Sequence, residues 1–248
     1  MTSPNRYYGW KPSKPNTAKK YSLYHTAIPR PAVVDLRPKD CPIFDQGQIG
    51  SCTANGLAGL LGFLNPGSVY SRLFIYLNER KMEGTIDQDA GAEIHDGIQI
   101  LIKLGCCFES LWPYDTSKFK VIPPQEVYDQ AKCNVITDYF ALQSFEDVLN
   151  CLASGFPVVF GTQVFESFES EDVASSGMVP DPTAYDDCVG GHCMKAVGYD
   201  DNRKLVIVAN SWGTGWGDKG YCYISYQYFQ EYANDMWKIT ADTLTRGQ

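Results

Sequence analysis

Apolar residues recur at helical spacing through the first half of the chain. After the loop glycines Gly47 and Gly50, they predict a helix that begins near Cys52 and buries Ala54, Leu57, Ala58, Leu61 and Leu64. A second helix is predicted over residues 70–82. A third is predicted from Ile94, Ile98, Leu101 and Ile102, and Gly105 closes it. The first half should therefore be helical.

Strand-like runs dominate the second half. Ser144 and Asp147 resemble a capping box that starts a helix to Ala153, and residues 156–162 predict a buried strand. Residues 164–190 have little periodicity and many turn-forming residues, so they predict a long loop.

An antiparallel hairpin is predicted next, because strand-like runs at 192–199 and 204–210 flank a turn-rich cluster. A turn centred near Asp201 or Asn202 would place His192 directly opposite Asn210.

The N-terminal segment differs from the rest in charge. Residues 1–34 contain six basic and no acidic residues, whereas the other 15 Lys and Arg and all 29 Asp and Glu give the remainder a charge of −14. Seven of the 14 prolines fall within the first 42 residues, which favours an extended path over a surface.

Composition limits the classes of function. With 44% hydrophobic residues the chain can bury a sizeable core, and it shows neither a signal-peptide h-region nor an apolar run long enough for a membrane span. Nine scattered cysteines predict no disulfide scaffold and favour a reducing, cytoplasmic compartment. A net charge of −8 without a basic tract argues against nucleic acid and leaves proteins or peptides as partners.

Cys52 is the candidate nucleophile because it falls in a first helical turn, where unpaired N–H groups and the helix dipole favour the reactive thiolate. Six residues earlier, Gln46 could donate with the Cys52 N–H to an oxyanion. The alternative is a buried structural cysteine that follows a turn glutamine.

Three histidines could serve a cysteine: His25, His95 and His192. His25 lies in the proline-rich segment, and His95 falls on the polar side of its helix, where a solvated role is expected. His192 is the remaining choice, because Asn210 could accept one ring N–H and leave the other nitrogen to exchange a proton with a thiol. Trp212 could shield that hydrogen bond. The alternative is a structural histidine in a hairpin.

Taken in order, these four residues resemble a papain-like (C1-type) cysteine peptidase. The glutamine-to-cysteine interval and the segment Asn210-Ser211-Trp212-Gly213-Thr214-Gly215-Trp216-Gly217 match that family, as does the start at residues 34–37. The histidine and asparagine follow Cys52 by 140 and 158 residues. Ile49 and Thr53 depart from the usual disulfide cysteine and aromatic residue, which marks a divergent branch.

The resemblance implies an α+β, papain-like two-lobe fold, with a helical left lobe, an antiparallel β-barrel-like right lobe and the cleft between them. Residues 1–30 would form an extension and 31–248 the peptidase domain, with a helical lobe over about 45–130 and a β-rich lobe over about 131–240. It also implies substrate-binding roles for Gly91, Ala92, Glu93, Gly161, Gly191, Cys193 and Trp212. Cys188, His192 and Cys193 lack a fourth zinc ligand nearby, so neither a metal nor a cofactor is expected.

The predicted function is hydrolysis of peptide bonds through a Cys52 thioester, with His192 as acid and base, Asn210 orienting it and Gln46 in the oxyanion hole. The alternatives are a thioester-forming transpeptidase or acyltransferase and a catalytically silent peptide-binding protein. Residues 1–30 are predicted to inhibit as a zymogen arm anchored by Tyr7, Tyr8, Trp10, Tyr21 and Tyr24. A stabilising strap or a disordered tail is the other explanation of that segment.

Overall fold

A computed structural model describes residues 6–14, 19–20, 30–242 and 244–245. The N-terminal part contributes three short strands, β1 (Trp10–Lys11), β2 (Lys19–Lys20) and β3 (Val33–Asp35). The predicted anchors Tyr21 and Tyr24, and His25, lie outside the described residues.

The helical lobe contains α1 (Cys52–Leu64), α2 (Arg72–Glu83), the short strand β4 (Ala92–Glu93), α3 (Ile94–Lys103) and α4 (Gln125–Ala131). The three predicted helices are thus present to within a few residues. α2 ends at Glu83 because the next residue, Gly84, adopts a left-handed φ of 73° and its N–H bonds back to the last turn of the helix. Leu57, Phe74 and Ile98, one from each of the three long helices, meet in one buried cluster.

The β-rich lobe follows in the order β5 (Asp138–Leu142), α5 (Phe145–Ala153), β6 (Val158–Phe165), α6 (Glu171–Ser176), β7 (Cys188–Asp200), β8 (Leu205–Ala209), β9 (Tyr221–Ser225), α7 (Tyr226–Tyr232) and β10 (Ala233–Thr240). Among the described residues the strands run in the order β2-β5-β10-β6-β7-β8-β9, with β3 also pairing with β7, and the sheet does not close into a barrel. The α+β, two-lobe fold is confirmed.

The predicted long loop is wrong in part. The strand before it continues to Phe165, and α6 forms because the Ser170 side chain accepts from the N–H of Val173 and Gly177 closes the helix at φ 74°. Short capped helices of this kind are too brief to show helical periodicity.

The predicted hairpin exists, but its register differs from the prediction. β7 pairs Lys195 with Ala209, so the next residue, Asn210, lies two positions away from facing His192. The reason is that the turn occupies residues 201–204, so its centre lies later than the predicted one. His192 and Asn210 still meet, diagonally across the same face.

His95 also differs from its prediction as a solvated residue. It is half-buried, and its ring stacks on Trp237 of β10, with centroids 5.2 Å apart and 27° between the planes. The polar side of α3 therefore packs against the sheet, which a helical pattern by itself does not reveal. The nine cysteines, all of which are described, form no disulfide.

The two lobes pack closely where α1 crosses β6 and β7. A Cβ atom on Gly56 would lie 2.8 Å from Val159 and 3.1 Å from the sulfur of Cys193, so only glycine fits there. This contact brings the first turn of α1 beside β7, which carries His192.

Candidate active site

Cys52 is the first residue of α1, and none of its surface is exposed. The backbone N–H groups of Cys193, Gly9 and Thr53 are directed at its sulfur and favour the thiolate. Burial outweighs them and raises the pKa of Cys52 to about 11. The expected preference for thiolate is therefore reversed in the buried state of this side chain.

His192 and Asn210 form the hydrogen bond that the sequence suggested. The Nε2–H of His192 donates to Oδ1 of Asn210 at 2.8 Å, and Oδ1 also accepts from the N–H of Ser211 at 2.8 Å. The Nδ1 atom of His192 has no hydrogen-bond partner among the described residues. Trp212 stacks on the imidazole with centroids 5.1 Å apart and 25° between the planes, so it shields the bond from water.

The charge state of His192 is also set by burial. Burial lowers its pKa to about 4, although the bond to Asn210 acts in the opposite direction. With the pKa of Cys52 near 11, both groups are uncharged around neutral pH in this state. The covered site is a thiol beside a neutral imidazole.

Gln46 is buried and held on three sides. Its Nε2–H₂ group donates to the carbonyl oxygens of Tyr7 and Ile49, both at 3.0 Å, and its Oε1 accepts from the hydroxyl of Ser211 at 2.7 Å. The Tyr114 hydroxyl donates to the Gln46 carbonyl at 2.9 Å. An amide oriented in this way presents an N–H donor to a carbonyl oxygen, and in this state that oxygen belongs to Tyr7.

Residues 6–14, here called the arm, lie along the cleft. The carbonyl of Gly9 accepts from the N–H of Ala92 at 2.7 Å, and β1 pairs in parallel with β4. Tyr8 places its ring edge-on to His192, with centroids 5.9 Å apart, and its hydroxyl donates to Glu169. The arm thus contacts Cys52, His192 and Gln46 together.

Further along, the arm contacts acidic residues. Lys11 forms an ion pair with Glu83 at 2.8 Å, and Lys14 forms one with Glu93 at 3.0 Å. Both carboxylates are largely buried, with side-chain exposures of 7% and 9%, so little water competes with the lysines at the carboxylate side. The charge difference between the N-terminal segment and the remainder is realised in these contacts.

The predicted substrate-binding residues line the same cleft. Six of the seven border the arm: Gly91, Ala92, Glu93, Gly161, Gly191 and Trp212. The seventh, Cys193, is buried beside Cys52. Glycine is needed at position 91, because its φ is +68° and a Cβ atom there would lie 2.0 Å from the Gly9 carbonyl oxygen.

Some residues of the cleft were not predicted from the sequence. Asp235 accepts a bond from the Trp10 indole, and Glu169 accepts one from Tyr8. Directly after Cys52 in α1, Thr53 donates to Glu79 at 3.0 Å, and complete burial raises the pKa of that carboxyl to about 8. No local pattern singles out these acids. Ser211 could have been found, because it directly follows Asn210.

The described residues were also compared with what a metal site and a membrane-spanning helix require. Where the structure is described, no three His, Cys, Asp or Glu side chains group as metal ligands would. None of the helices in that part of the chain is both long and apolar enough to span a membrane.

Comparison with known proteins gives a consistent picture. The family model described as Papain family cysteine protease matches residues 30–240. An uncharacterized peptidase C1-like protein of Acanthamoeba polyphaga mimivirus is 39% identical over 95% of this chain and 87% of its own length. Cysteine proteinase 3 of Entamoeba histolytica is 30% identical over 77% of this chain, which spans 61% of that relative.

Solved structures agree. The crystal structure of xylellain, a cysteine protease from Xylella fastidiosa, superposes with a TM-score of 0.89 at 36% identity, covering 98% of this chain and all of that one. A procathepsin B of Trypanosoma congolense shares the fold at 18% identity, with a TM-score of 0.74 over 96% of this chain and 87% of its own.

Proposed function

Because this chain belongs to the papain family of cysteine proteases, we propose that it hydrolyses peptide bonds through a thioester on Cys52. What supports this mechanism is one group of contacts: His192 held by Asn210 on the strand beside Cys52, with the Gln46 amide turned toward a carbonyl oxygen in the cleft. A nucleophile, a base with an orienting partner and an oxyanion donor are the groups that acyl transfer requires.

In the proposed reaction the Cys52 thiolate attacks the scissile carbonyl carbon. The oxyanion accepts from the Gln46 Nε2–H and the Cys52 N–H. Nδ1 of His192, which is not engaged by Asn210, takes the proton of the Cys52 thiol and gives it to the departing amine, so that the C–N bond breaks and a thioester remains. The same nitrogen then takes a proton from water, and the oxygen of that water attacks the thioester. The acyl group leaves as the carboxylic acid product, and Nδ1 returns the proton to the sulfur of Cys52.

A thiol-directed epoxide tests the nucleophile. With the arm displaced, it should alkylate Cys52 with one equivalent per chain and stop hydrolysis of a peptide library, whereas Cys52→Ala should neither bind the epoxide there nor cleave peptides. Cys188→Ala, which removes an exposed cysteine, is the matched control. Peptide hydrolysis by Cys52→Ala would contradict the mechanism. Amide products in the presence of added amines would instead support acyl transfer.

We also propose that the arm is an inhibitory pro-segment. It covers Cys52 and engages Gln46 through the Tyr7 carbonyl, and it runs parallel to β4. One structural neighbour is a procathepsin B from Trypanosoma congolense. A zymogen held by its own N-terminal segment accounts for these contacts better than a strap does, because a strap has no need to occupy the oxyanion donor.

The substitution Gly9→Ala, which adds one methyl group, tests whether the arm inhibits. A Cβ atom on Gly9 would lie 1.7 Å from the Gly50 carbonyl oxygen, so Gly9→Ala should expel the arm and leave the body unchanged. Overpacking of this kind costs about 1–3 kcal/mol, so reaction of Cys52 with the epoxide should rise by about five- to 150-fold. Gly215→Ala is the control, because a Cβ atom there meets nothing within 4 Å. Unchanged reactivity in a folded Gly9→Ala chain would show that the arm does not inhibit.

A further inference from the structure

The peptide group that joins Ile49 to Gly50 contacts two functional regions at once. Its carbonyl oxygen accepts from Nε2–H₂ of Gln46 at 3.0 Å, so it occupies one of the two N–H donors of that amide. Its N–H donates to both carboxylate oxygens of Asp89, at 3.0 and 3.1 Å. Because a trans peptide group is planar, its N–H and C=O point in opposite directions and turn together. The contact with Asp89 therefore fixes the direction of the carbonyl that Gln46 meets.

Asp89 belongs to the segment that carries the predicted substrate-binding residue Gly91. The Tyr76 side chain joins the two, because its hydroxyl donates to Oδ1 of Asp89 and accepts from the N–H of Gly91 at 3.2 Å. Tyr76 lies in α2 and none of its surface is exposed, so its hydroxyl is held by the core of the helical lobe. The loop before the nucleophile and the loop that borders the cleft are thus tied to one buried residue.

Arg80 fixes the backbone of the same segment. None of its surface is exposed, and its guanidinium donates to the carbonyl oxygens of Ile86 and Gln88 at 2.8 and 2.9 Å. The guanidinium also lies over the Tyr76 ring, 4.1 Å from its centroid. Asp89 itself is an exposed residue, so these neighbours rather than burial determine where its carboxylate lies.

Resting on the proposed function, we propose that Asp89 is a positioning residue for the oxyanion hole and acts on Gln46 through the Ile49–Gly50 peptide. With this peptide held, one N–H of Gln46 is bound to Ile49 and the other points to a carbonyl oxygen in the cleft, which in the docked state is that of Tyr7. A carboxylate suits this task, because it accepts a backbone N–H in a charge-assisted hydrogen bond, which is stronger than a bond between neutral groups.

Steady-state kinetics in the Gly9→Ala chain test this assignment. Asp89→Ala should lower kcat about fivefold, the loss expected for one hydrogen bond, with little change in KM. Asp89→Asn should recover most of that loss, because its side-chain oxygen still accepts the Gly50 N–H. The exposed Asp87→Ala, in the same segment, is the matched control. An unchanged kcat in the Asp89→Ala chain, or an effect on KM alone, overturns the proposal.

A double-mutant cycle shows whether Asp89 acts through Gln46. Once Gln46→Ala has removed the amide, Asp89→Ala should cost less than about twofold in kcat, because the Ile49 carbonyl no longer has that partner to position. The same fivefold loss in both backgrounds would assign Asp89 a purely structural role and overturn the proposal.

A measurement without turnover separates failure of this inference from failure of the proposed function. The Cys52 thiol adds across the C=O bond of a peptide aldehyde, sulfur to carbon and proton to oxygen, which places that oxygen where the oxyanion would form. The dissociation constant of the aldehyde should rise about fivefold in Asp89→Ala and stay unchanged in Asp87→Ala. Equal values in the two variants would overturn this inference, whereas absence of hydrolysis with Asp89 intact would count against the proposed function instead.

Discussion

The two ends of the cleft hold the arm by different physical means. At the catalytic end, Tyr8 packs edge-on against His192 and the N–H of Gly9 is directed at the sulfur of Cys52; both of these side chains are fully buried and uncharged. At the other end, Trp10 to Lys14 contact carboxylates that accept hydrogen bonds and ion pairs.

The difference separates two ways of covering one cleft. At the catalytic end, burial raises the pKa of the Cys52 thiol and lowers that of the His192 imidazole, so neither group is charged. At the acidic end, the arm supplies hydrogen-bond donors and ammonium groups to carboxylates. The catalytic end should therefore respond to proton concentration and the acidic end to salt.

Removing the Gln46 amide should have the largest effect. In the Gly9→Ala chain, Gln46→Ala should lower kcat by about 10²- to 10³-fold, the usual loss for one oxyanion donor. With Gly9 intact, the same change should loosen the arm, because the Tyr7 carbonyl loses its donor. Steady-state kinetics and Cys52 alkylation measure the two effects, and the exposed Gln48→Ala is the control. A normal kcat would exclude Gln46 from the oxyanion hole.

Acid should release the arm from the catalytic end of the cleft. Covered His192 has a pKa of about 4, whereas an exposed imidazole titrates near 6.5. Between about pH 6.5 and 4 the arm-free state therefore binds a proton that the docked state does not, so docking is fully favoured above that window and weakens as the pH falls. The ratio of docked to free arm should drop by up to about tenfold per pH unit.

Tryptophan fluorescence can follow this release, with Trp10→Phe as the blank. His192→Gln should flatten the profile over the same window, since it removes the titrating group. If the full chain keeps the same docked fraction from pH 6.5 to 4, then docking of the arm does not depend on keeping His192 uncharged.

Ser211→Ala sharpens the comparison within the catalytic end. The Ser211 hydroxyl donates to Oε1 of Gln46 at 2.7 Å, so its loss frees the amide to rotate. One such bond contributes about 1 kcal/mol, so kcat should fall about fivefold while KM changes little. Ser175→Ala, at an exposed position of α6, is the control. A change in KM alone would assign Ser211 to substrate binding rather than to positioning Gln46.

The smallest effect is expected at the acidic end. Lys11→Met removes the ion pair with Glu83. The Lys11 side chain is 38% exposed, so the ion pair contributes little, and alkylation of Cys52 should accelerate by up to about fivefold at low salt. Near 1 M salt the difference from the unmodified chain should vanish, because the screening length falls to about 3 Å. The exposed Lys39→Met serves as control. A difference that persists in high salt would mean that Lys11 acts through packing.

The sequence by itself determined the first three helices and the family. Helical spacing located the first three helices, and the interval from Gln46 to Cys52 with the segment after Asn210 led to the family. These features are local, since a periodic face or a short motif lies within one stretch of chain and its meaning does not depend on distant residues.

Only the tertiary structure decided which residues from distant segments contact each other. The hairpin register, the stacking of His95 and the bond from Trp10 to Asp235, which are 225 residues apart, arise where elements pack together. The direction of the Cys52 pKa shift has the same origin, because it comes from burial among segments that are distant in the chain. Burial and pairing between distant segments leave no periodic trace in the chain, so they appear only when the lobes and the arm are assembled.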